Sequence, residues 1–396
     1  MTSPTPQVPA SGLRLRVLDR LGDVPAEAWD ALGDGASTPF QKHAWLLALE
    51  EEGCAVEARG WQPRHLTLWR GERLVAAAPA YRRDGSEGEF VFDHGWANAA
   101  QRAGIRYYPK LTLAVPFTPA TGRRVLVAPD EDRTALTREI FAHAQDLARA
   151  ERLSSVHVLF PTDDEAEVGA DAGAAVRHGV QFHWNNADYD GYDAFLARFD
   201  SKRRHQLRRE ERAAGEQGVT LRTRRGDALG EGDAALVHRL YRSTVDKFAW
   251  GRRYLHEGFF RRVLREFREH LEVVEAVRDG EVVAGAFNVA SPTHLYGRYW
   301  GCFEELPFLH FNVCYYHSIR ECIGRGVQRF EGGAGGEHKV SRGFEPAVTR
   351  SLHWMLNPAL DAAVRDFVQR ERAAIEAELP SMRAAAGMRP RAARQE

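Results

Sequence analysis

The stretch "AVRDGEVVAGA", residues 276–286, decides the fold because the chain contains a second copy of it. It aligns without a gap with "LWRGERLVAAA", residues 68–78. Each copy predicts two short strands joined by a glycine-containing turn, the pattern of a β-hairpin. The turn glycine is Gly71 in one copy and Gly280 in the other, displaced by one position. We infer that a structural unit is repeated along the chain.

The same order of elements surrounds both hairpins. An apolar helical face precedes each one, in "HAWLLALEEEG" (43–53) and "FFRRVLREF" (259–267). A strand, a long helix and another strand follow each hairpin: "KLTLAVPF" (110–117), "LTREIFAHAQDLARAE" (136–151) and "SVHVLF" (155–160) in the first half, "HLYGRYWGCF" (294–303), "NVCYYHSIRECIGRG" (312–326) and "VQRFEGG" (327–333) in the second. This is the element order of a GNAT-type acyltransferase domain. The expected fold class is therefore α/β, with tandem GNAT-like domains and mixed, mainly antiparallel sheets.

The length of the chain agrees with two domains. At 396 residues it is too long for one ordinary hydrophobic core. We expect a disordered tail over residues 1–12, a first domain over 13–185, a second over 186–372 that opens with a basic helix, and a disordered tail over 380–396.

Composition limits the function classes. The formal net charge is −1, so any affinity for nucleic acid must come from a local basic patch. The four cysteines have no metal-binding spacing and predict reduced core residues of an intracellular protein. There is no apolar signal core and no apolar stretch of about 20 residues. We expect a cytoplasmic protein, and the histidine spacing predicts no metal site.

A glycine-rich loop, "EGGAGGEHKVSRGFEP" (331–346), is the first candidate site. Four glycines occupy five positions before three titratable residues. Glycine backbone N–H groups can form a nest for an anion, with a cation beside it. The alternative is a turn that carries a solvated charge cluster. The candidate catalytic residues here are Glu337, His338 and Lys339, and the candidate substrate-binding residues are Gly333, Gly335, Gly336 and Arg342.

Two aromatic segments could line an acceptor groove. In "LYGRYWG" (295–301), strand alternation predicts Tyr296, Arg298 and Trp300 on one face. In "VFDHGWAN" (91–98), an aspartate that could act as a base precedes a tryptophan. The candidate catalytic residues of these segments are Asp93 and Tyr299, and the candidate substrate-binding residues are Trp96, Asn98, Tyr296 and Arg298.

A basic segment between residues 202 and 212 could bind the phosphates of a donor. Arg204, Arg208 and Arg212 recur every four residues, so a helix would place them along one face. A solvated helix face is the alternative. The candidate donor-binding residues are Lys202, Arg204, Arg208 and, after a weak glycine motif in "TPATGRRV" (118–125), Arg123.

A standard acetyl-coenzyme A site is not visible. "RFEGGA" (329–334) has the spacing of a pyrophosphate loop, but it follows a helix and ends a later strand. Such a loop should instead open a helix. The place where it belongs, residues 303–311, has no glycine. This favours a donor that is bound differently, such as an aminoacyl-tRNA.

Several long motifs resemble one protein family. They are "SEGEFVFDHGWANAA" (86–100), "YYPKLTLAVPFTPATG" (107–122), "LYGRYWGC" (295–302), "LHFNVCYYHSI" (309–319) and "FEGGAGGEHKVSRGFEP" (330–346). They are similar to the FemAB-like N-acyltransferases of bacteria, tandem-GNAT relatives of the aminoacyl transferases that form peptidoglycan bridges. The resemblance covers residues 38–372. The chain departs from the family pattern at Asn312, Gly335 and Gly85, where Glu, Gln and His are usual.

The resemblance implies an enzyme that transfers an N-acyl or N-aminoacyl group directly to an amine, in cell-wall metabolism. It implies no tightly bound cofactor, with aminoacyl-tRNA or acyl-CoA as cosubstrate and a peptide, cell-wall precursor or small molecule as acceptor. Two alternatives remain open. One is a coenzyme A-dependent N-acyltransferase acting on a small amine, and the other is a non-catalytic module that binds a peptide or RNA.

Overall fold

The computed structural model describes residues 12–247, 252–385, 387 and 388. Most of the predicted tail over residues 1–12, and residues 386 and 389–396 of the second predicted tail, lie outside the described residues.

Strands and helices alternate along the chain. The strands are β1 (Leu13–Leu18), β2 (Trp61–Pro63), β3 (His65–Arg70), β4 (Arg73–Ala78), β5 (Ala80–Arg83), β6 (Lys110–Leu113), β7 (Leu126–Val127), β8 (Ser155–Leu159), β9 (Ala175–Asn185), β10 (Thr220–Arg225), β11 (Leu271–Arg278), β12 (Glu281–Ala290), β13 (His294–Cys302), β14 (Arg329–Glu331) and β15 (Glu345–Met355). The helices are α1 (Ala26–Asp30), α2 (His43–Glu51), α3 (His94–Arg102), α4 (Arg133–Ala150), α5 (Asp163–Asp171), α6 (Tyr192–Leu196), α7 (Ser201–Glu216), α8 (Ala234–Val245), α9 (Glu257–Glu266), α10 (Leu309–Phe311), α11 (His317–Arg325) and α12 (Pro358–Ala385). A π-helical turn over Asn312–Tyr316 joins α10 to α11, and a 3-10 helix over Glu337–Arg342 follows the glycine-rich loop.

The chain divides into two compact units. Unit 1 extends to Gly179 and includes Thr349–Ala373, whereas unit 2 contains Val180–Val348 and the residues from Ala374 onward. The predicted second domain, 186–372, therefore ends too late. Its last part returns to unit 1 because Ser351–Met355 of β15 pairs with β8.

Unit 1 contains the first hairpin. β1, β3, β4 and β7 form an antiparallel sheet, and β15, β8, β6, β5 and β2 are neighbours in a second sheet, where β6 and β8 run parallel. Helix α4 begins because the Asp132 side chain accepts a hydrogen bond from the backbone N–H of Ala135 (3.0 Å). Its apolar face, including Ile140, Phe141 and Ala144, is buried in the core with the strands.

Unit 2 contains the second hairpin. Its strands are ordered β10–β11–β12–β13–β14–β9, and only β13 and β14 pair in parallel. That pairing ends at Tyr296 and Glu331, whereas β13 continues to Cys302. β14 therefore ends while β13 continues, and the part of β13 after Tyr296 has no further pairing with β14. The predicted element order and the tandem GNAT-like fold class are confirmed.

Two predicted segments have a different structure. "VFDHGWAN" runs into helix α3 instead of lining a groove as extended chain. Helix α12 continues through Pro380 to Ala385, so residues 380–385 are helical and not a disordered tail. The alanine- and arginine-rich composition that suggested a tail consists of strong helix formers.

Candidate active site

A small pocket lies in unit 2 beside β13, beyond the end of β14. Residues 297–300 of β13, Ala286 and Asn288 of β12, His310 and Gly332 contribute to its lining. Its volume is about 80 Å³, room for roughly two or three water molecules at about 30 Å³ each. The pocket can therefore hold the reacting end of a ligand but not a whole donor molecule.

A β-bulge shapes the wall of this pocket. Gly297 pairs with Asn288 and Tyr299 pairs with Phe287, so Arg298 is an extra residue in β13. Bulges of this kind re-aim side chains and occur next to active sites. The bulge interrupts the alternation predicted for Tyr296, Arg298 and Trp300, and four consecutive residues line the pocket.

The bulge changes the positions of two predicted site residues. Tyr296 is buried and stacks on His294, with ring centroids 5.9 Å apart. It is not among the residues that line the pocket. Tyr299 lines the pocket and packs against Tyr241 and Phe287, at centroid distances of 4.8 and 6.3 Å.

Lys339 is buried beneath the glycine-rich loop. Its Nζ donates to the carbonyl oxygens of Gly333 (2.7 Å) and Gly335 (2.6 Å), and the residue is 3% exposed. These carbonyl contacts correct the prediction of a nest of backbone N–H groups, since the loop presents oxygens to a cation. An ammonium group has three N–H donors. One remains without a hydrogen-bond partner in the described part of the chain.

Burial lowers the pKa of Lys339 to about 8. The group is therefore still mostly protonated at neutral pH, although it has no carboxylate partner among the described residues. A Cβ atom on Gly332 or Gly336 would lie 3.2 Å from Lys339 Cε. These two glycines thus leave the space that the lysine side chain occupies. Gly332 also lines the pocket, so Lys339 lies directly behind the pocket wall.

Two histidines lie near the mouth of the pocket. His310 is half-buried, lines the pocket and packs against Trp300 at a centroid distance of 4.9 Å. Burial and the nearby charges of His338 and Arg342 lower the pKa of His310 to about 4. It is therefore neutral at neutral pH and able to accept a proton. The exposed His338 is hydrogen-bonded through Nε2 to the Tyr315 hydroxyl (2.9 Å).

Arg342 is part of an internal ion pair. Its guanidinium donates to Glu210 Oε2 (2.7 Å) and to the Tyr316 hydroxyl (2.9 Å), and it stacks over Phe311. This ion pair lies within unit 2, and the predicted role of Arg342 in substrate binding stays a prediction. Glu337 begins the 3-10 helix, and its assignment as a catalytic residue stays a prediction.

The departures from the family pattern have structural roles in unit 2. Asn312 is buried and its side chain donates to the carbonyl oxygens of Glu210 (2.8 Å) and Phe308 (3.1 Å). Gly335 contributes its carbonyl to Lys339.

Asp93 belongs to a buried ionic network of unit 1. It accepts hydrogen bonds from Lys110 (2.6 Å) and the Tyr107 hydroxyl (2.6 Å). Burial acts to raise the pKa of Asp93, but Lys110 and His157 together lower it far below its ordinary range. Asp93 is therefore held as a carboxylate in an internal ion pair, and its role as a base stays a prediction.

The neighbours of Asp93 do not form a groove. Trp96 is buried on helix α3 and packs against His353 at a centroid distance of 4.8 Å. Asn98 is exposed on the same helix. Because residues 96 and 98 point away from one another on a helix, they do not share the surface that an extended segment would give.

The predicted donor-binding arginines have different surroundings. Arg123 is paired with Asp34 (3.1 Å) and with Asp164, and its role in phosphate binding stays a prediction. Lys202 and Arg208 are exposed on helix α7, and Arg204 is half-buried there. The basic stripe on α7 stays a prediction.

The sequence analysis missed Asn288 and His310. Asn288 is 2% exposed, lines the pocket, and its Nδ2 has no hydrogen-bond partner in the described ranges. A polar residue within the otherwise apolar "VVAGAFNVA" (282–290) was the signal that could have found it. His310 lies in the glycine-free segment after β13. Phosphate-binding motifs in the sequence do not select a residue of such a segment.

The described residues contain no group of three or more His, Cys, Asp or Glu residues arranged to hold a metal ion. None of their helices is long and apolar enough to cross a membrane.

The fold and the pocket define the class of the protein, which is an enzyme, an acyltransferase with tandem GNAT-like domains. A family model described as peptidoglycan biosynthesis/recognition, FemAB-like, matches residues 20–390. The chain belongs to the FemAB-like family. A search of the curated proteins found no match.

Three solved structures are similar to this chain. FemX is 12% identical with a TM-score of 0.51, and the similarity covers 86% of this chain and 98% of FemX. L-PGS from Bacillus licheniformis is 11% identical with a TM-score of 0.48, covering 85% of this chain and 99% of that one. A tandem GNAT protein from the clavulanic acid biosynthesis pathway is 14% identical with a TM-score of 0.43, covering 87% and 99%. At 12% identity the likeness to FemX shows a common fold alone.

Proposed function

We propose that the enzyme transfers an aminoacyl group from aminoacyl-tRNA to an amine of a peptidoglycan precursor. The observation that carries this proposal is the pocket beside β13, beyond the end of β14. A neutral histidine, His310, lines it, and a buried cation with one N–H to spare, Lys339, lies behind its wall. The family description supports the acceptor class.

The chemistry needs few groups. The acceptor amine attacks the ester carbonyl carbon of the donor, and a C–N bond forms as the carbonyl oxygen becomes an oxyanion. His310 takes the proton from the amine, and Lys339 stabilises the negative charge. The intermediate then collapses, the bond to the ribose oxygen breaks, and that oxygen receives the proton from His310. The products are an amide and uncharged tRNA, with no covalent enzyme intermediate.

Two features favour tRNA over coenzyme A as the donor. The segment after β13, residues 303–311, has no glycine that would let backbone N–H groups surround a pyrophosphate. Helix α7 exposes Lys202, Arg208 and Arg209, a surface that suits a phosphate backbone. The pocket would then hold only the aminoacyl end of the donor.

The test measures transfer from two donors. Purified enzyme is incubated with a UDP-linked muropeptide and either tRNA charged with radiolabelled amino acids or labelled acetyl-CoA. We expect label in the muropeptide from charged tRNA. The double variant Arg204→Glu, Arg208→Glu should weaken tRNA binding strongly, and binding by wild-type enzyme should fall steeply with added salt. The same charge reversals at exposed Arg138 and Arg149 of helix α4 are the matched control.

Transfer from acetyl-CoA alone, with no salt-dependent binding of tRNA, would contradict the proposal.

The variant His310→Gln should reduce transfer by about 10²- to 10⁴-fold. Its control is His317→Gln, on helix α11, where the histidine is hydrogen-bonded to the Thr223 hydroxyl (2.8 Å) and glutamine can keep that bond.

A further inference from the structure

Asn288 places an unused hydrogen-bond donor in the wall of the pocket. The residue is 2% exposed and its Nδ2 has no partner in the part of the chain that the structure describes. Natural proteins pair the large majority of their buried side-chain polar atoms. An amide nitrogen left unpaired at a pocket is therefore positioned for a ligand atom.

We infer that Asn288 Nδ2 donates a hydrogen bond to the acyl carbonyl oxygen of the donor and to the oxyanion that forms from it. This inference rests on the proposed function, because it assigns a group to the same transfer. It is independent of whether the donor is an ester of tRNA or a thioester, since both present the same carbonyl.

The backbone around Asn288 fixes the direction of this donor. Asn288 pairs in register with Gly297, the residue directly before the bulge at Arg298. A Cβ atom on Gly297 would lie 3.4 Å from the Phe330 ring, so a side chain there would crowd the pocket wall. Ala286, two residues earlier on the same face of β12, also lines the pocket. Small neighbours on both strands leave the space of the pocket beside Asn288 unfilled by protein.

The chemistry of the lining selects a carbonyl group as the ligand atom. An amide NH₂ is a neutral donor, so it serves a carbonyl oxygen or an oxyanion and not an ammonium group. Phe330, Ala286 and Cys314 give the pocket an apolar side. Burial raises the pKa of the Cys314 thiol well above its ordinary value, which keeps it neutral. A short alkyl group next to a carbonyl matches this combination.

The first test replaces the amide while keeping its size. Asn288→Leu removes the donor, and Asn288→Asp replaces it with an acceptor. We expect kcat to fall about 100-fold in Asn288→Leu, the effect of losing one oxyanion donor, and at least as far in Asn288→Asp. The midpoint of thermal unfolding of Asn288→Leu should not fall, because the lost donor had no partner. Asn185→Leu on β9 is the matched control, where Asn185 accepts a hydrogen bond from Arg329 (3.2 Å).

A second test needs no activity. Protein labelled with ¹⁵N-asparagine is titrated with N-methylalaninamide, a stable compound that carries the acyl carbonyl. The side-chain NH₂ signal of Asn288, assigned by its absence from Asn288→Leu, should shift and saturate. An unshifted signal, unchanged kcat in Asn288→Leu, or a loss of activity matched by a loss of stability would each overturn the inference. If the Asn288 signal shifts but the enzyme transfers nothing from charged tRNA, the proposed donor is wrong and Asn288 remains the carbonyl-binding group.

Discussion

Each unit of the molecule buries one lysine, and the two lysines differ in their partners. Lys110 of unit 1 is fully buried and donates to Ser86 (2.9 Å), Glu89 (2.8 Å) and Asp93 (2.6 Å). Lys339 of unit 2 has only two partners, both of them backbone carbonyls. All three N–H donors of Lys110 are therefore used, whereas one N–H donor of Lys339 has no partner among the described residues.

The difference extends to the pKa values. Burial acts to lower the pKa of Lys110, but Glu89 and Asp93 outweigh burial and raise it. No carboxylate in the part of the chain that the structure describes offsets the burial of Lys339, and its pKa falls to about 8. A buried cation without a counter-charge is costly unless an anion arrives. We therefore expect the lysine of unit 1 to be structural and propose that the lysine of unit 2 is functional.

Removing the structural lysine should have the largest effect. Lys110→Met leaves Asp93 buried without its cation, whereas Glu89 keeps its pair with the buried Arg83 (3.1 Å). Breaking a buried pair in this way costs about 3–5 kcal/mol. We expect that loss in the free energy of unfolding, measured by urea denaturation. Lys42→Met is the control, because Lys42 is partly exposed and lies 3.9 Å from Asp30. A loss under about 1 kcal/mol for Lys110→Met would end the contrast between the two lysines.

Removing the functional lysine should affect activity and spare the fold. Lys339→Met should cost about 2–4 kcal/mol of transition-state stabilisation, as the loss of one preorganised donor does. The free energy of unfolding should change by less than about 1 kcal/mol, since water can reach the exposed Gly335 carbonyl. Turnover and thermal unfolding are measured together, with the exposed Lys247→Met, which breaks a pair with Glu305, as the control. Lost stability with normal turnover would make the loop structural.

The repeat made the fold predictable, whereas the site depended on contacts that no local pattern encodes. The hairpins around Gly71 and Gly280 and the helices between strands follow from apolar periodicity and turn chemistry. The sequence shows Arg342 and Arg123 as charges, but their partners Glu210 and Asp34 are 132 and 89 residues away. The bulge at Arg298 likewise depends on pairing with β12. Lys339 and its loop could be selected from sequence, whereas Asn288 and His310 required the strands to be placed.

The pH dependence of turnover separates the two roles at the pocket. Lys339 must carry its proton, so its contribution should be full below pH 8 and fall about tenfold per unit above it. His310 must be neutral, so activity should fall only as the pH drops through about 4. The ratio of wild-type kcat to that of Lys339→Met cancels the titration of the acceptor amine. That ratio should be constant from pH 5 to 7 and decline above about pH 8; a ratio that rises there would identify Lys339 as a base instead.

The smallest predicted change in kcat comes from narrowing the space around the Lys339 side chain. Gly335 and Gly336 both have positive φ, 71° and 90°, so alanine at either position should cost about 1–2 kcal/mol of stability through backbone strain. A Cβ at Gly335 would meet nothing within 4 Å, whereas one at Gly336 would lie 3.1 Å from His338 Cε1 and 3.2 Å from Lys339 Cε. Gly336→Ala should therefore also displace Lys339 and lower kcat about tenfold further than Gly335→Ala, roughly 1.4 kcal/mol. Both variants carry backbone strain from a positive φ. The difference between their kcat values, compared at equal folded fraction, therefore reports the effect of displacing the Lys339 ammonium group. Equal kcat values would show that the exact placement of Lys339 does not limit the transfer.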